Sequence, residues 1–427
     1  MSAADENADG AAGLIAAGEN ALARGEPEKA YEVLARASAL PTDGALLHRL
    51  AAAFAQAARH LSRHDEVLAW IDRKIDGVDG ASARVPLLVA RLGVLRLLDS
   101  ARVLELCDEA ITTALGLGDH EAAARALSHA AFAAYRRGDA RRARLFADRA
   151  GSIETQSKAA QFYALRARMF AASAVGELEA NLELSMKSRA LARELGSDVD
   201  VANESNNLAE TYLELGCPAE AKACAEVALQ LGEQTGHVAI HAMATVYVAI
   251  ATAEAGDPDE ALARLDAMRI ANTNRFAVID AASVHAYWLL ERGASGDARR
   301  AREIAEPALE AAIAASADNR LTMLYAAIAR ALAREGQDAA ARIELERARK
   351  CADRGDPSAQ SMHALAAAEV LPAAEPARQV VLSTARARIL RRATRREDPF
   401  AFCSYVRLNR RLLELSGGVP PDLPKSS

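Results

Sequence analysis

Aromatic residues are scarce in this sequence of 427 residues, where phenylalanine, tryptophan and tyrosine together make up only 4%. Runs of β-branched residues, which favour strands, are also rare. Alanine dominates instead, within a hydrophobic share of 51%, and it has the highest helix propensity of all residues. The composition therefore argues against β-sheet folds and predicts an all-α protein.

Catalytic signatures are missing as well. The sequence contains no phosphate-binding glycine loop of the Walker type and no GxSxG nucleophile elbow. It also predicts no strand that a dinucleotide-binding GxGxxG loop would follow. Because no nucleophile–base pair can be assembled from the residues, we expect a protein that is not an enzyme and has no cofactor.

Metal-binding patterns are equally weak. Five cysteines without any CxxC pairing are typical of small buried residues in a reducing compartment, and they are Cys107, Cys217, Cys224, Cys351 and Cys403. Two histidine pairs, His60 with His64 and His237 with His241, have the spacing that zinc uses on a helix. Neither pair has an obvious third ligand nearby. We therefore expect no metal and ordinary packed or solvated histidines.

Targeting and membrane-spanning segments are not evident. The first twenty residues lack the basic start and apolar core of a signal peptide. The longest apolar stretch, Val238 to Ala253, is too short and too polar to cross a bilayer, so we expect a buried helix there. The net charge of −6 is modest and argues against a protein devoted to nucleic acid. These features predict a cytoplasmic protein.

What the sequence does contain is a repeat. Glycines recur at steps of 38, 40, 40, 40 and 40 residues, at Gly138, Gly176, Gly216, Gly256, Gly296 and Gly336. A small residue follows at an equivalent position as Ala143, Ala221, Ala261, Ala301 and Ala341, with Asn181 as the exception. A turn glycine followed by a row of small residues indicates a helical hairpin. Neighbouring hairpins must complete each other's core, since one alone cannot bury its apolar faces.

The clearest copy of this repeat spans Asn203 to Ala228. It resembles a tetratricopeptide repeat through Leu208-Ala209-x-x-Tyr212-x-x-x-Gly216 and the alanines Ala221, Ala225 and Ala228. Ala225 replaces the family's bulky aromatic residue, and Glu233 stands where the family has a closing proline. The stretch therefore resembles the long variety, of about 40 residues, common in bacterial signalling ATPases, kinases and regulators.

The resemblance implies a right-handed α-solenoid of about ten antiparallel helix pairs. We predict a disordered N-terminus over residues 1–10, the solenoid over 11–398, a capping helix over 399–416 and a disordered tail over 417–427. The turn at 292–296 is lengthened. The capping helix is expected to cover the open end of the array with one apolar face, interrupted by Asn409 and formed by Phe402, Tyr405, Val406, Leu412 and Leu413.

The resemblance also implies where a partner binds. In the family the first helices line a concave groove, and the positions that face it precede the turn glycine by about thirteen, ten, nine and six residues. Applied to four repeats, this rule selects Arg125, His129, Phe132, Tyr163, Arg166, Phe170, Asn203, Asn206, Asn207, Glu210, Met243 and Tyr247.

Three asparagines, Asn203, Asn206 and Asn207, are unusual on so short a helical stretch because asparagine has a low helix propensity. An amide pairs well with the N–H and C=O groups of an extended peptide, and aromatic neighbours supply apolar pockets. The alternative is that the asparagines bond within the solenoid or face water. The sequence leaves both interpretations open.

A basic patch lies near the C-terminus, formed by Arg388, Arg392, Arg395, Arg396, Arg407, Arg410 and Arg411. Such a patch suits an acidic partner, a nucleic-acid backbone or anionic lipid. The alternative is a solvated helix end whose cations complement the helix dipole.

Together these patterns favour a non-catalytic interaction module or scaffold in bacterial signalling or regulation, which binds a segment of a partner protein in its groove. An alternative is a regulatory sensor gated by a peptide or a small effector. A second, less favoured alternative is a nucleic-acid-associated regulator that uses the basic patch. Since no kinase or ATPase module is evident, a signalling ATPase, kinase or transcription regulator would act as a separate partner chain.

Overall fold

The fold is built from α-helices. The computed structural model describes residues 3–42, 44–61, 63–268, 275–352, 357–393 and 407–418. Within them, 21 helices form ten consecutive pairs and one final helix. The first helices of the pairs are α1 (Ala3–Ala23), α3 (Gly44–Leu61), α5 (Ala81–Leu95), α7 (His120–Arg136), α9 (Lys158–Val175), α11 (Asp198–Leu215), α13 (Val238–Glu254), α15 (Arg275–Arg292), α17 (Asp318–Arg334) and α19 (Pro357–Val370).

The second helices follow them across short turns. They are α2 (Pro27–Ser38), α4 (His64–Gly77), α6 (Ser100–Gly116), α8 (Ala140–Gly151), α10 (Leu178–Glu194), α12 (Pro218–Gln234), α14 (Pro258–Ala267), α16 (Asp297–Ala314), α18 (Asp338–Ala352) and α20 (Pro376–Ala393). The final helix is α21 (Arg407–Leu415). The predicted solenoid of about ten helix pairs is confirmed.

Each of the six regularly spaced glycines lies in a turn of its hairpin with a positive φ, between 66° at Gly138 and 115° at Gly256. A residue with a Cβ atom loses about 1–2 kcal/mol in this left-handed region, so glycine is strongly preferred. At Gly138 the next residue caps the second helix, because the carboxylate of Asp139 accepts the backbone N–H of Arg142 at 2.9 Å. The glycine interval therefore marks one hairpin per repeat.

The predicted lengthened turn joins α15 to α16. It contains two glycines with positive φ, Gly293 at 67° and Gly296 at 87°. Asp297 closes the turn, since it accepts the backbone N–H of Ala294 at 2.9 Å and pairs with Arg292 at 2.7 Å. The hydrogen bond from Arg292 holds the pKa of Asp297 below its ordinary value.

Small residues allow the two helices of a pair to approach closely. The five alanines at equivalent positions, Ala143, Ala221, Ala261, Ala301 and Ala341, are fully buried. Asn181 is buried in their place, and its amide donates to Ser173 Oγ at 2.6 Å while its Oδ1 accepts from Ser185 at 2.9 Å. A local hydrogen-bond network thus satisfies the one polar residue in this row.

The apolar core has two main parts. One extends through α1–α9, which we call the N-terminal half, and the other through α10–α21, the C-terminal half. Polar groups join the two halves where α9 meets α11, since Arg166 Nε lies 3.2 Å from Glu204 Oε1 and Arg166 Nη1 lies 3.6 Å from Asp200. These charged residues, which we call the seam, lie beside an apolar cluster of Phe162, Ala192 and Val201 that also joins the two halves.

The two ends differ from the predicted boundaries. In place of a disordered stretch over residues 1–10, helix α1 begins already at Ala3, because this alanine-rich segment continues a strong helix former. The predicted capping helix is described from residue 407, and α21 packs on α19 and α20 with Leu408, Leu412 and Leu413 buried. Phe402, Tyr405 and Val406 lie outside the described residues, as does the tail from 419 onward.

Two further sequence predictions concern single helices, α21 and α13. Asn409, which interrupts the apolar face of α21, is buried and accepts a hydrogen bond from Ser361 at 3.1 Å. The apolar stretch from Val238 forms α13, a largely buried helix as predicted. Among the helices that the structure describes, none is both long enough and apolar enough to cross a membrane.

The solenoid closes on itself after five to six repeats. The turn after α1 meets the turn before α13, where a Cβ atom built on Gly236 would lie 2.9 Å from the carbonyl oxygen of Gly25. Beside it, the rings of His60 and His237 are 4.2 Å apart, and His60 Nδ1 donates to the Gly236 carbonyl at 3.3 Å. These contacts join the N-terminal half to the C-terminal half a second time, away from the seam.

A second set of closing contacts lies further along the chain. The backbone N–H of Ser100 donates to the carbonyl of Ala315 at 3.3 Å. Arg136 and Arg137, at the end of α7, pair with Asp280 at 3.2 Å and Asp318 at 3.3 Å. The first helices are thereby held around a central space.

The closure can be tested at Gly236. Gly236→Ala should separate the two turns, because the added methyl group meets the Gly25 backbone in addition to the strain of a positive φ. We expect a lower Tm and a larger radius of gyration in small-angle X-ray scattering. Gly118→Ala is the matched control, since Gly118 has a φ of +71° and open space around it. If both substitutions changed the Tm and the radius of gyration equally, the contact between Gly25 and Gly236 would have no role in closure.

Candidate functional site

A cavity of about 770 Å³ lies inside the closed solenoid, within the range of about 300–1,000 Å³ that is usual for ligand sites. First helices from α1 to α17 line it. All twelve residues that the sequence assigned to the groove face this cavity. Their binding of a partner stays a prediction, but the structure brings them together in one place.

Aromatic side chains are concentrated on the cavity wall. The chain has 8 phenylalanines, 8 tyrosines and 2 tryptophans, and six of these line the cavity: Phe132, Tyr135, Tyr163, Phe170, Tyr247 and Phe276. Phe132 lies 5.0 Å from Phe170 and 6.2 Å from Phe276 between ring centroids, in edge-on geometry. Phe132 also packs against the cores of both halves. These rings form an apolar pocket between the halves.

The asparagines of α11 all use their amide nitrogens within the solenoid. Asn203 donates to the Val199 carbonyl at 3.0 Å, Asn206 to the Ile240 carbonyl at 3.1 Å and Asn207 to Glu204 Oε2 at 3.2 Å. The internal bonding that the sequence left open as an alternative is therefore observed. Asn206 Oδ1, however, is buried and has no hydrogen-bond partner, so one strong acceptor at the cavity is unsatisfied.

A buried ion pair supports the asparagines. Glu204 is fully buried, accepts from Asn207 and contacts Arg166, which is itself only 8% exposed. Burial raises the pKa of Glu204, while the charge of Arg166 and the hydrogen bond from Asn207 act in the opposite direction. This arrangement fixes Asn207 at the cavity wall.

A chain of charged groups crosses the far end of the cavity. Asp280 pairs with Arg136 at 3.2 Å and with Arg320 at 2.7 Å, and Arg320 also lies 3.4 Å from Glu210. Burial alone would raise the pKa of Asp280, but the two guanidinium groups outweigh it and hold that pKa below its ordinary value. The guanidinium of Arg136 also lies 4.3 Å from the centroid of the Phe276 ring.

Tyr247 adds a hydroxyl group to this end of the cavity. It is buried, and its burial, together with the charges of Glu210 and Asp280, raises its pKa well above the ordinary value. The hydroxyl therefore stays protonated at neutral pH and remains a hydrogen-bond donor.

The sequence argument missed Asp280, Arg136 and Arg320. Their contacts join repeats that are far apart in the chain, so no periodic pattern reports them. Asp280 nevertheless had a usable signal, because it lies thirteen residues before Gly293, the first glycine of the lengthened turn. The rule was applied only to the four repeats that precede the lengthened turn, so it did not reach Asp280.

The described members of the basic patch contact other groups of the chain. Arg388 donates to Gln360 at 2.7 Å and to Ser361 at 2.8 Å. Arg411 pairs with Glu291 at 2.7 Å and Glu369 at 3.1 Å, and Arg410 lies 3.6 Å from Glu414. The side chains of Arg392, Arg395, Arg396 and Arg407 lie outside the described residues. The patch thus contributes to docking α21 on the solenoid.

The histidines and cysteines that the sequence analysis considered as metal ligands lie in packed parts of the solenoid. The rings of His60 and His237 contact each other across the closure at a tilt of 44°, whereas the sequence pairs were His60 with His64 and His237 with His241. Cys107 and Cys224 are buried, and burial raises the pKa of the Cys107 thiol to about 11. Cys403 lies outside the described residues. Within the described part of the chain, no group of three or more His, Cys, Asp or Glu residues is placed to hold a metal ion.

Comparison with known proteins identifies the fold. No protein-family profile matches the chain, and no curated protein matches its sequence. A crystal structure of a Rap protein in complex with the Competence and Sporulation Factor aligns with a TM-score of 0.50 at 14% identity, covering 81% of this chain and 100% of that one. The apo form of the quorum sensor NprR from B. thuringiensis aligns with a TM-score of 0.43 at 12% identity, covering 75% and 92%. The chain has the fold of tetratricopeptide-like helical-repeat proteins, as its repeats predicted.

The Asp280 ion pairs make a pH-dependent prediction. Asp280→Asn removes the charge that two largely buried arginines share, which should cost about 3–5 kcal/mol at pH 7. Because the pKa of Asp280 is lowered in the folded protein, its contribution is present above about pH 4 and disappears as the pH falls further. The Tm difference between wild type and variant should therefore shrink between pH 7 and pH 3.

The matched control is Asp259→Asn, which removes an exposed partner of Arg292 and should change the Tm little. Circular dichroism melts over this pH range measure both variants. A penalty for Asp280→Asn that stays constant with pH, or that equals the control, would show that the carboxylate charge does not stabilise the closure.

Proposed function

We propose that this chain is a regulatory binding protein that takes up an extended peptide segment of a partner in its central cavity. The observation that carries the proposal is the combination of an unsatisfied buried acceptor, Asn206 Oδ1, with an aromatic pocket on the same wall. A peptide supplies what both lack, namely backbone N–H donors and an apolar side chain.

The geometry of the wall suits a peptide more than a rigid small molecule. The side chains of Asn203, Asn206 and Asn207 follow one another along α11 with their nitrogens bonded within the solenoid, and the phenyl rings of Phe132 and Phe170 lie on α7 and α9. Repeated amides match a repeated backbone, and the pocket beside them gives specificity for one side chain. The Rap protein, which shares the fold, was crystallised with the Competence and Sporulation Factor, which supports a regulatory binding role.

Selection from random peptides displayed on phage tests this proposal. The wild-type chain should enrich a subset of peptides, and Asn206→Ala combined with Asn207→Ala should bind them about tenfold more weakly, since each amide hydrogen bond contributes about 0.5–1.5 kcal/mol. Asn20→Ala, an exposed asparagine of α1, is the control and should bind as wild type. Circular dichroism confirms that each variant is folded. No enrichment by the wild type, or equal affinity of the double variant, would refute the proposal.

A ligand-gated sensor is the second candidate, and one observation favours it over a static scaffold. The cavity lies between the two halves, and Arg136 and Asp280 both line the cavity and join those halves. The seam at Arg166 and Glu204 places a buried ion pair where the two halves meet, beside the apolar cluster of Phe162, Ala192 and Val201. A ligand that contacts both halves would therefore favour one relative arrangement of them.

Small-angle X-ray scattering distinguishes the two candidates. A selected peptide at saturating concentration should reduce the radius of gyration of the wild-type chain, because it draws the two halves together. Asp280→Asn should start from a larger radius and respond more strongly, since one closing contact is absent. Superimposable scattering curves with and without peptide would exclude gating and leave the static module.

A further inference from the structure

We infer that the ligand of the cavity carries a carboxylate group, bound by Arg125, and an apolar side chain about three residues away that occupies the pocket of Phe132 and Phe170. The inference rests on the proposed function and specifies the chemistry of its ligand. Three features support it: the charge balance of the cavity, the environment of Arg125 and the distance from Arg125 to the pocket.

Most cavity arginines already have acidic partners. Six arginines line the cavity: Arg49, Arg96, Arg125, Arg136, Arg166 and Arg320. Arg49 pairs with Glu19, Arg166 with Glu204, and Arg136 and Arg320 share Asp280. The guanidinium of Arg96 lies 5.4 Å from the centroid of the Phe132 ring. The structure thus compensates most of the positive charge that it places in the cavity.

Arg125 differs from these residues. Its guanidinium lies 5.4 Å from the centroid of the Tyr163 ring, and the side chain is half-buried. Its Nε is buried without a hydrogen-bond partner, and no described acidic side chain lies within ion-pair distance. A guanidinium that has lost part of its hydration and has no counter-ion favours a bound anion. Its planar fork matches a carboxylate in a bidentate arrangement.

The second element of the ligand follows from the position of Phe132. Arg125 and Phe132 are seven residues apart on α7, so they lie on the same face, separated by about 10 Å at a rise of about 1.5 Å per residue. An extended peptide advances about 3.3 Å per residue. In a ligand that reaches both, the apolar side chain therefore lies about three positions along the chain from the carboxylate. A free amino acid or a simple inorganic anion cannot reach both.

A polyanion fits this cavity poorly. A nucleic acid requires several cations for its phosphates, whereas among the described lining residues the other arginines contact acids or an aromatic ring. Asp198 and Asp200, at the start of α11, add negative charge to the same wall. One carboxylate beside Arg125 is compatible with this distribution, and a run of phosphates is not.

The carboxylate has two sources, an acidic side chain or the C-terminus of the peptide. Positional-scanning hexapeptide libraries, prepared once with free and once with amidated C-termini, distinguish them on the immobilised full-length chain. A preference for Asp or Glu at a fixed position in both libraries assigns a side chain. A preference for the free-acid library assigns the C-terminus. An apolar residue about three positions away is expected in either case.

Substitution of Arg125 then links the preference to this residue. Arg125→Gln should weaken the best peptide by about 10- to 100-fold, since a hydrogen bond to a charged group contributes more than a neutral one. Arg125→Lys should keep the carboxylate preference at reduced affinity. Arg142→Gln is the control, because Arg142 also lies over an aromatic ring, 5.7 Å from the Phe146 centroid, but outside the cavity lining. It should bind as wild type.

The outcomes separate this inference from the proposed function. Peptides that bind the wild type with no carboxylate preference, or equally well to folded Arg125→Gln, overturn the inference and leave the peptide-binding function in place. Libraries that contain no binder for the wild type overturn both. If Arg125→Gln fails to fold, Arg125→Lys decides, since loss of the carboxylate preference in a variant that keeps the charge contradicts the inference.

Discussion

The closure of the solenoid depends on a direct contact between two backbone turns, at Gly25 and Gly236. Neither turn leaves room for a Cβ atom, and both have a positive φ, so the approach requires glycine on each side. The contacting rings of His60 and His237 and the Asp280 ion pairs extend the contact along the cavity. Without this closure the first helices would line an open groove, and the cavity would lose one wall.

Closure also explains the distribution of residue types. A repeat array buries its core between neighbouring repeats, here mainly through alanine and leucine with a few aromatic residues such as Trp70 and Trp288. Other aromatic and charged side chains line the cavity, where Phe132 and Phe276 meet from opposite halves and Asp280 joins Arg136 to Arg320. The shared glycines and alanines build the hairpins, while the cavity is lined largely by residues that differ between repeats.

Periodicity predicts the part of the structure that repeats. The glycine interval and the equivalent alanines were sufficient for the hairpins, and the offset from Gly216 placed Asn206 on the cavity wall. Periodicity could not predict the closure, because Gly25 and Gly236 are brought together only by the accumulated twist of several repeats. Asp280 was missed because the offset rule was applied only to the four repeats of Gly138, Gly176, Gly216 and Gly256. The start of α1 at Ala3 follows from helix propensity, and the repeat pattern carries no information about it.

The central claim is that the cavity between the two halves is the binding site. A crystal structure of the full-length chain with a peptide selected on it tests this claim most directly. We predict an extended peptide along α11, with one of its N–H groups donating to Asn206 Oδ1 and an apolar side chain packed against Phe132 and Phe170. A peptide bound on the second helices or on α21, with the cavity unchanged, would contradict the account.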